Sequence, residues 1–385
     1  MEVFVFLFSL TALGVLYTMN NVPELQEPYV ILQVGAAVLV FVFLVYLLMA
    51  WRNPPKDLLF FAFAVFSFTC VIDLVSALQH DGWITGFMEF YQKAGEPYLG
   101  TAYGIMMCYW DGIVHFILYL FMICRITERK DYRIMGLFWA GSLLANMSIF
   151  VTGIVVGKHG SDIRPAFWLN IPFLLVPVWG AISVFTSAKS KQLTGGYNAM
   201  FVQCMRLIWR PQDLMLVLLA LAAMAFTIFR GLVALDAPLE ACTIYLKQYE
   251  PYLKDPVGYP RVMMLHFLFY GVPLLGALVY GLVEPGCNWM PDLSVFFAGA
   301  MAQCQFAHMG GSLHSRTMAP YRIPGDAFLV VMAANLVYVA IPQIIAMRCT
   351  ENPNFFLTVS SFPGQTGLPY SKEKDTLITN KIKSS

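Results

Sequence analysis

Glu96-Pro97-Tyr98-Leu99 and Glu250-Pro251-Tyr252-Leu253 are one tetrapeptide written twice, 154 residues apart, each in a polar loop between two long apolar runs. Working outward, Phe68-Thr69 matches Phe226-Thr227 at a spacing of 158, and Met106-Met107 matches Met263-Met264 at 157. Phe138 and Ala140-Gly141 match Phe296 and Ala298-Gly299 at 158, and Arg164 matches Arg322 at 158. Several matches in order at nearly constant spacing identify a duplicated structural unit.

Composition sets the solvent of that unit. With 58% apolar, 15% aromatic and 12% charged residues, the chain lacks the charge to cover a soluble surface. Ten apolar stretches fall at about 2–19, 29–51, 58–78, 101–124, 133–156, 166–186, 213–233, 262–283, 293–312 and 327–347. At 1.5 Å per residue each is long enough to cross a hydrocarbon core of about 30 Å. The predicted fold is an all-α polytopic membrane protein of about ten transmembrane helices. Glu2 and the lack of a basic residue before the first run, with no small-x-small cleavage site after it, mark a retained anchor.

Residues 1–57 then hold two N-terminal helices outside the repeat. Residues 58–186 and 213–348 hold four helices each, 187–212 a linker, and 349–385 a tail rich in Pro, Ser, Thr and Lys read as disordered. Four crossings per copy give both copies one orientation, unlike the inverted repeats of many transporters. Placing the tail in the cytosol puts fifteen basic residues on that side and eight opposite, with Arg230 inside the seventh helix and expected to snorkel to the interface. In the linker Phe201, Met205 and Ile208 share one helical face, which suits either an interfacial helix or a simple tether. Pro172, Pro177, Pro273 and Pro342 inside helices predict kinks.

Net charge of +1 without a basic stripe argues against nucleic acid. The eight scattered cysteines form no disulfide framework or metal spacing, and no metal or cofactor is expected. The sequon at Asn146 lies within a predicted span. Lys381 and Lys383, fifth and third from the end, match a dilysine retrieval signal read by coat proteins; the alternative is a solvated basic tail.

Ionisable groups in hydrocarbon cost about 3 kcal/mol or more each, so each needs a reason. In the first copy Asp111 and His115 sit four apart on one face, about 6 Å along the axis, beside Trp110. Such a pair suits a proton relay, with Trp110 facing a developing carbocation as in double-bond isomerisation. It equally suits binding an amine or hydroxyl, or locking helices together. Asp73 lies on the preceding helix and Glu96 at the mouth where the chain re-enters the membrane. At matching spacing the second copy puts Gly231 at Asp73 and apolar residues at Asp111. It offers His266, Gln303, Gln305, His308 and Asn335 instead, either as stitches between helices or as a pocket for a lipid headgroup. Asn170 completes the ligand-binding candidates.

Gly86-Phe-Met-Glu-Phe-Tyr91, Gly95-Glu-Pro-Tyr-Leu99, Cys108-Tyr-Trp-Asp-Gly112, Ile163-Arg-Pro-Ala-Phe167, Phe229-Arg-Gly-Leu-Val233, Tyr249-Glu-Pro-Tyr-Leu-Lys-Asp-Pro256 and Pro285-Gly-Cys-Asn-Trp289 together resemble the transmembrane 6 superfamily over nearly the whole chain except the tail. Gly86–Tyr91, Ile163–Phe167 and the dilysine end are more similar to member 2 of that family than to member 1. The resemblance implies two tandem EXPERA domains, the fold of the sterol isomerase called emopamil-binding protein and of the sigma-2 receptor. It implies residence in the endoplasmic reticulum and the ER–Golgi intermediate compartment. It also implies a role in loading triglyceride onto secreted lipoproteins and limiting lipid-droplet content, with lumenal lipoprotein-assembly proteins as partners. The isomerase uses intramembrane acids, a histidine and a tryptophan; Asp73, Asp111, His115 and Trp110 supply those types, with aspartates where glutamates are expected. Cys287-Asn-Trp289 resembles the sigma-2 receptor's binding module. The favoured expectation is a regulator that binds sterol or another lipid; a sterol isomerase and a lipid transporter or scramblase are the alternatives.

Overall fold

The computed structural model describes residues 1–187 and 196–358. The dilysine positions Lys381 and Lys383 lie outside the described residues. Within them the chain is helical, and ten long helices, α1 to α10, follow the apolar runs. They are α1 (Glu2–Asn21), α2 (Pro28–Ala50), α3 (Leu59–His80), α4 (Ala102–Thr127), α5 (Arg133–Val156), α6 (Pro165–Thr186), α7 (Pro211–Ala234), α8 (Tyr259–Val283), α9 (Met290–Leu313) and α10 (Phe328–Glu351). Among the described residues nine of these are long and apolar enough to cross a membrane. The exception is α9, expected as the span 293–312. It is as long as its neighbours but carries Gln303, Gln305 and His308, all fully buried between helices, so its polarity faces protein rather than lipid.

Local chemistry sets the ends. The Asp57 carboxylate accepts from the Leu59 amide and opens α3; Thr101 accepts from the Gly104 amide and opens α4. Gly258 turns the chain into α8 with φ of 92°, a conformation that costs glycine no Cβ clash. The Pro-Tyr-Leu of each tetrapeptide is itself a tight turn, Pro97–Gly100 or Pro251–Lys254, that returns the chain to the bundle.

The two copies then repeat one irregularity. A single π-turn interrupts α4 at Asp111–His115 and α8 at Phe267–Gly271. In α8 the cause is local: Pro273 has no amide hydrogen to return to the preceding turn. No proline stands at that place in α4. Pro177 and Pro342 lie inside helices as expected, whereas Pro172 occupies the first turn of its α-helical segment, where a missing donor costs nothing.

The seam between the copies is the repeated Phe-x-Ala-Gly. Helices α5 and α9 make the most extensive helix contact in the molecule. Gly141 lies against the Phe296 carbonyl and Gly299 against the Phe138 carbonyl, a reciprocal contact in which any Cβ would strike backbone. The exchange continues outward, α4 packing on α9 and α8 on α5. Helices α1 and α2 lean on α3 and on the turn that opens α6, with Gly35 admitting Leu169.

The linker forms a short helix, Gly196–Cys204, and a turn, Leu207–Trp209. Met200, Phe201, Ile208 and Trp209 are exposed there, while the Gln203 amide ties the linker to the carbonyls of Asn354, Phe355 and Leu357. At the same end Asp213 is held by Arg210 at 2.5 Å and Arg348 at 2.7 Å.

Candidate functional site

A cavity of about 130 Å³ opens between the N-terminal pair and the first copy. Leu16, Met19, Ile31 and Val38 of α1 and α2 form one wall; Phe68 and Phe173 belong to the other. Its polar lining is Thr69, Asp73, Ser76, Tyr91, Glu96 and Asn170. A cavity of that size takes a polar head or part of a ring.

The two carboxyl groups in this cavity differ. Glu96 is 5% exposed and accepts from the Tyr91 hydroxyl at 2.7 Å, from the Tyr98 hydroxyl and from the Asn170 amide. Burial raises its pKa above the usual carboxylate value, against the lowering effect of those three donors. Asp73 is half-buried and has no hydrogen bond or ion pair among the described residues. A carboxyl in a mostly apolar cavity, without a donor of its own, is short of the bonds that offset its desolvation.

Asp111 and His115 lie elsewhere. Neither they nor Trp110 line the cavity. His115 Nδ1 stands 2.8 Å from Asp111 Oδ1, close enough for an ion pair though not aligned as a hydrogen bond. Its Nε2 is 2.9 Å from Ser142 Oγ on α5. Ser142 also accepts from Trp110 Nε1 at 3.1 Å and donates to Gln303 Oε1 at 2.6 Å; Gln303 Nε2 donates to Asp111 Oδ1 at 2.9 Å. The ring closes on itself across the α5–α9 seam. The order Asp–His–Ser resembles a nucleophile relay, but the serine proton is directed at Gln303 and its lone pairs at Trp110 and His115. This arrangement joins helices.

The second copy rebuilds the glutamate site with a different partner. Glu250 accepts from Tyr245 at 2.7 Å and from the Asn335 amide at 2.9 Å. Arg230 reaches it at 2.9 Å, with both side chains 1% exposed. The same guanidinium donates to Asn335 Oδ1 at 3.2 Å and meets His308 Nε2 at 2.6 Å. The sequence expectation that Arg230 snorkels to the interface is therefore wrong: a carboxylate within reach outweighs the route to water. Burial alone would raise the Glu250 carboxyl; Arg230 wins and holds it well below the usual range. Of the remaining candidates, His266 packs its ring on Tyr270 with centroids 4.8 Å apart. Gln305 is fully buried, and its amide finds no hydrogen-bond partner among the described residues.

With this geometry in place, comparison with known proteins is decisive for the family. Residues 11–195 match the family model described as Transmembrane 6 superfamily member 2-like, transmembrane domain, and residues 240–349 match EXPERA (EXPanded EBP superfamily). The chain is 46% identical over 348 residues to Transmembrane 6 superfamily member 2 of Homo sapiens, covering 90% of this chain and 92% of the relative. It is 45% identical over 349 residues to the Rattus norvegicus protein, covering 91% and 92%. The chain belongs to the transmembrane 6 superfamily. No solved structure matches it. Within this family member, Asp73, Glu96 and Asn170 fall inside the first matched segment, and Glu250, His308 and Asn335 inside the second.

Ser142, Tyr91, Tyr245 and the Arg230–Glu250 pair escaped the sequence reading. The tyrosines had a signal: each stands five residues before its glutamate, so the repeat is longer, Tyr-x-Lys-x-x-Glu-Pro-Tyr-Leu. Ser142 had none, being one serine among apolar residues.

Proposed function

We propose that this member of the transmembrane 6 superfamily holds a sterol or another lipid by its polar head in the cavity at Asp73 and Glu96. In this reading it acts in the membranes of the endoplasmic reticulum and the ER–Golgi intermediate compartment, with its tail in the cytosol. There it promotes the loading of triglyceride onto secreted lipoproteins and limits lipid-droplet content. The observation that carries the binding claim is the unpartnered Asp73 carboxyl beside Glu96 in a cavity whose lining is mostly apolar. A ligand hydroxyl or amine supplies the donor that Asp73 lacks, and the ring or chain beyond it lies on Phe68, Phe173 and the α1–α2 wall. Partners in the lumen for lipoprotein assembly, and coat proteins at Lys381 and Lys383, belong to the same reading.

Sterol isomerisation by Asp111 and His115 is supported less, because both side chains are committed to Ser142 and Gln303 and the cavity at Asp73 does not include them. The test is lipid mass spectrometry on purified wild type, Asp73→Asn and Glu96→Gln, with a sterol-isomer conversion assay on the same samples. Co-purifying lipid that falls several-fold in both variants, without conversion, is the expected result. Conversion that depends on Asp111 replaces this reading with the enzymatic one, and undiminished lipid in both variants removes it.

A further inference from the structure

We infer that the second module contains the same polar site as the first but that the site is occupied from within, by the side chain of Arg230. The argument begins with what is equal. Glu96 and Glu250 hold the same place in the repeated tetrapeptide. Each accepts from a tyrosine five residues earlier, Tyr91 or Tyr245, and each from an asparagine on the last helix of its module, Asn170 or Asn335. Two of the holders of the carboxylate are thus retained in kind, the tyrosine also in sequence position.

What differs is the residue that the first helix of each module presents. Leu74 of α3 lies against Gly112, and Leu268 lies against Gly231 of α7, with a Cβ on either glycine falling within 2.9 Å of the leucine opposite. The contact is the same with the bulk exchanged, Gly112 corresponding to Leu268 at a spacing of 156 and Leu74 to Gly231 at 157. That register moves the sequence-based match by one residue: Asp73 corresponds to Arg230 rather than to Gly231. Where the first module has two carboxyl groups and a cavity, the second has one carboxylate and a guanidinium that touches Glu250, Asn335 and His308 and lies 5.1 Å over the Phe226 ring. These are the contacts a bound organic cation would make: a carboxylate, an amide oxygen, an imidazole and an aromatic face.

The exchange has a physical reason. Helices α1 and α2 wall the first cavity, and they precede the repeat, so the second module has no counterpart of them. A carboxylate there without a wall and without a cation faces hydrocarbon at prohibitive cost. Arg230 removes that cost permanently, and with it the capacity to bind. The second module is then a fixed structural copy, and ligand binding is confined to the first. Vacated, its site takes a guanidinium or a protonated amine.

The experiment uses the purified full chain in detergent and follows thermal unfolding with and without ethylguanidinium. Arg230→Ala leaves Glu250 uncompensated and melts lower than wild type; ethylguanidinium raises its melting temperature saturably and leaves wild type unmoved. Arg230→Ala/Glu250→Gln, lacking the carboxylate, gains no such response. Arg230→Ser vacates the same space and leaves the same bare carboxylate, and it must respond in the same direction should the alanine variant not accumulate. A folded single variant without saturable recovery overturns the inference, as does an equal response in wild type or in the double variant. Adding Glu96→Gln to Arg230→Ala leaves the recovery unchanged, so failure of the cavity reading and failure of this one are told apart.

Discussion

Glu96 and Glu250 show how one residue in one motif acquires opposite electrostatics from its surroundings. Burial dominates at Glu96, so the folded chain holds its proton more tightly than the unfolded chain does. The stability this contributes is full below the ordinary carboxylate value of 4.5 and is lost as pH rises through the raised value. At Glu250 the cation dominates, so the contribution is present above 4.5 and is lost as pH falls through the depressed value. Melting temperature measured against pH therefore loses part of its alkaline-side fall in Glu96→Gln and part of its acid-side fall in Glu250→Gln; identical profiles for both variants contradict the assignment. Removing Arg230 alone strands a buried carboxylate and costs about 3–5 kcal/mol, read from denaturant unfolding of Arg230→Ala. Asp111 and His115 were legible from sequence because four residues on a helix make a face. Arg230 with Glu250, and Gln303 with Asp111, were not, since their pairing depends on how distant helices pack.

Helices were the most legible level, because the apolar run that crosses hydrocarbon is also what makes the helix. Helix α9 shows the limit: its amides lowered its hydropathy for a reason visible only once its neighbours were in place. The π-turn in α8 has a proline to announce it, and the one in α4 has none. The seam of α5 and α9 was present as a repeated Phe-x-Ala-Gly, but nothing in the spacing said that the two copies touch each other there. Two expectations belong to this scale. Gly299→Leu forces a side chain into the Phe138 carbonyl, and no rotamer relieves it; loss of the folded monomeric peak in size-exclusion chromatography is the expected outcome. Gln303→Leu leaves Asp111 without its amide donor and lowers stability by about 1–3 kcal/mol in denaturant unfolding, without lowering the amount of co-purifying lipid. A variant that folds normally but loses its lipid contradicts the separation of the two sites.

At the scale of the molecule, the first repeat carries a polar cavity walled by α1 and α2, and in the second Arg230 meets the repeated glutamate. The duplication was legible and so was its asymmetry of acids. The place of the N-terminal helices as the wall of the first cavity was not, because uniformly apolar helices carry no mark of what they cover. The account predicts that one chain binds one lipid and that binding follows Asp73. The most direct test is quantitative lipid mass spectrometry on purified wild type and Asp73→Asn, the latter matched to wild type in melting temperature. About one lipid per chain in wild type and a several-fold loss in the folded variant is the predicted result. Equal lipid in the two, with Asp73→Asn folded, contradicts it.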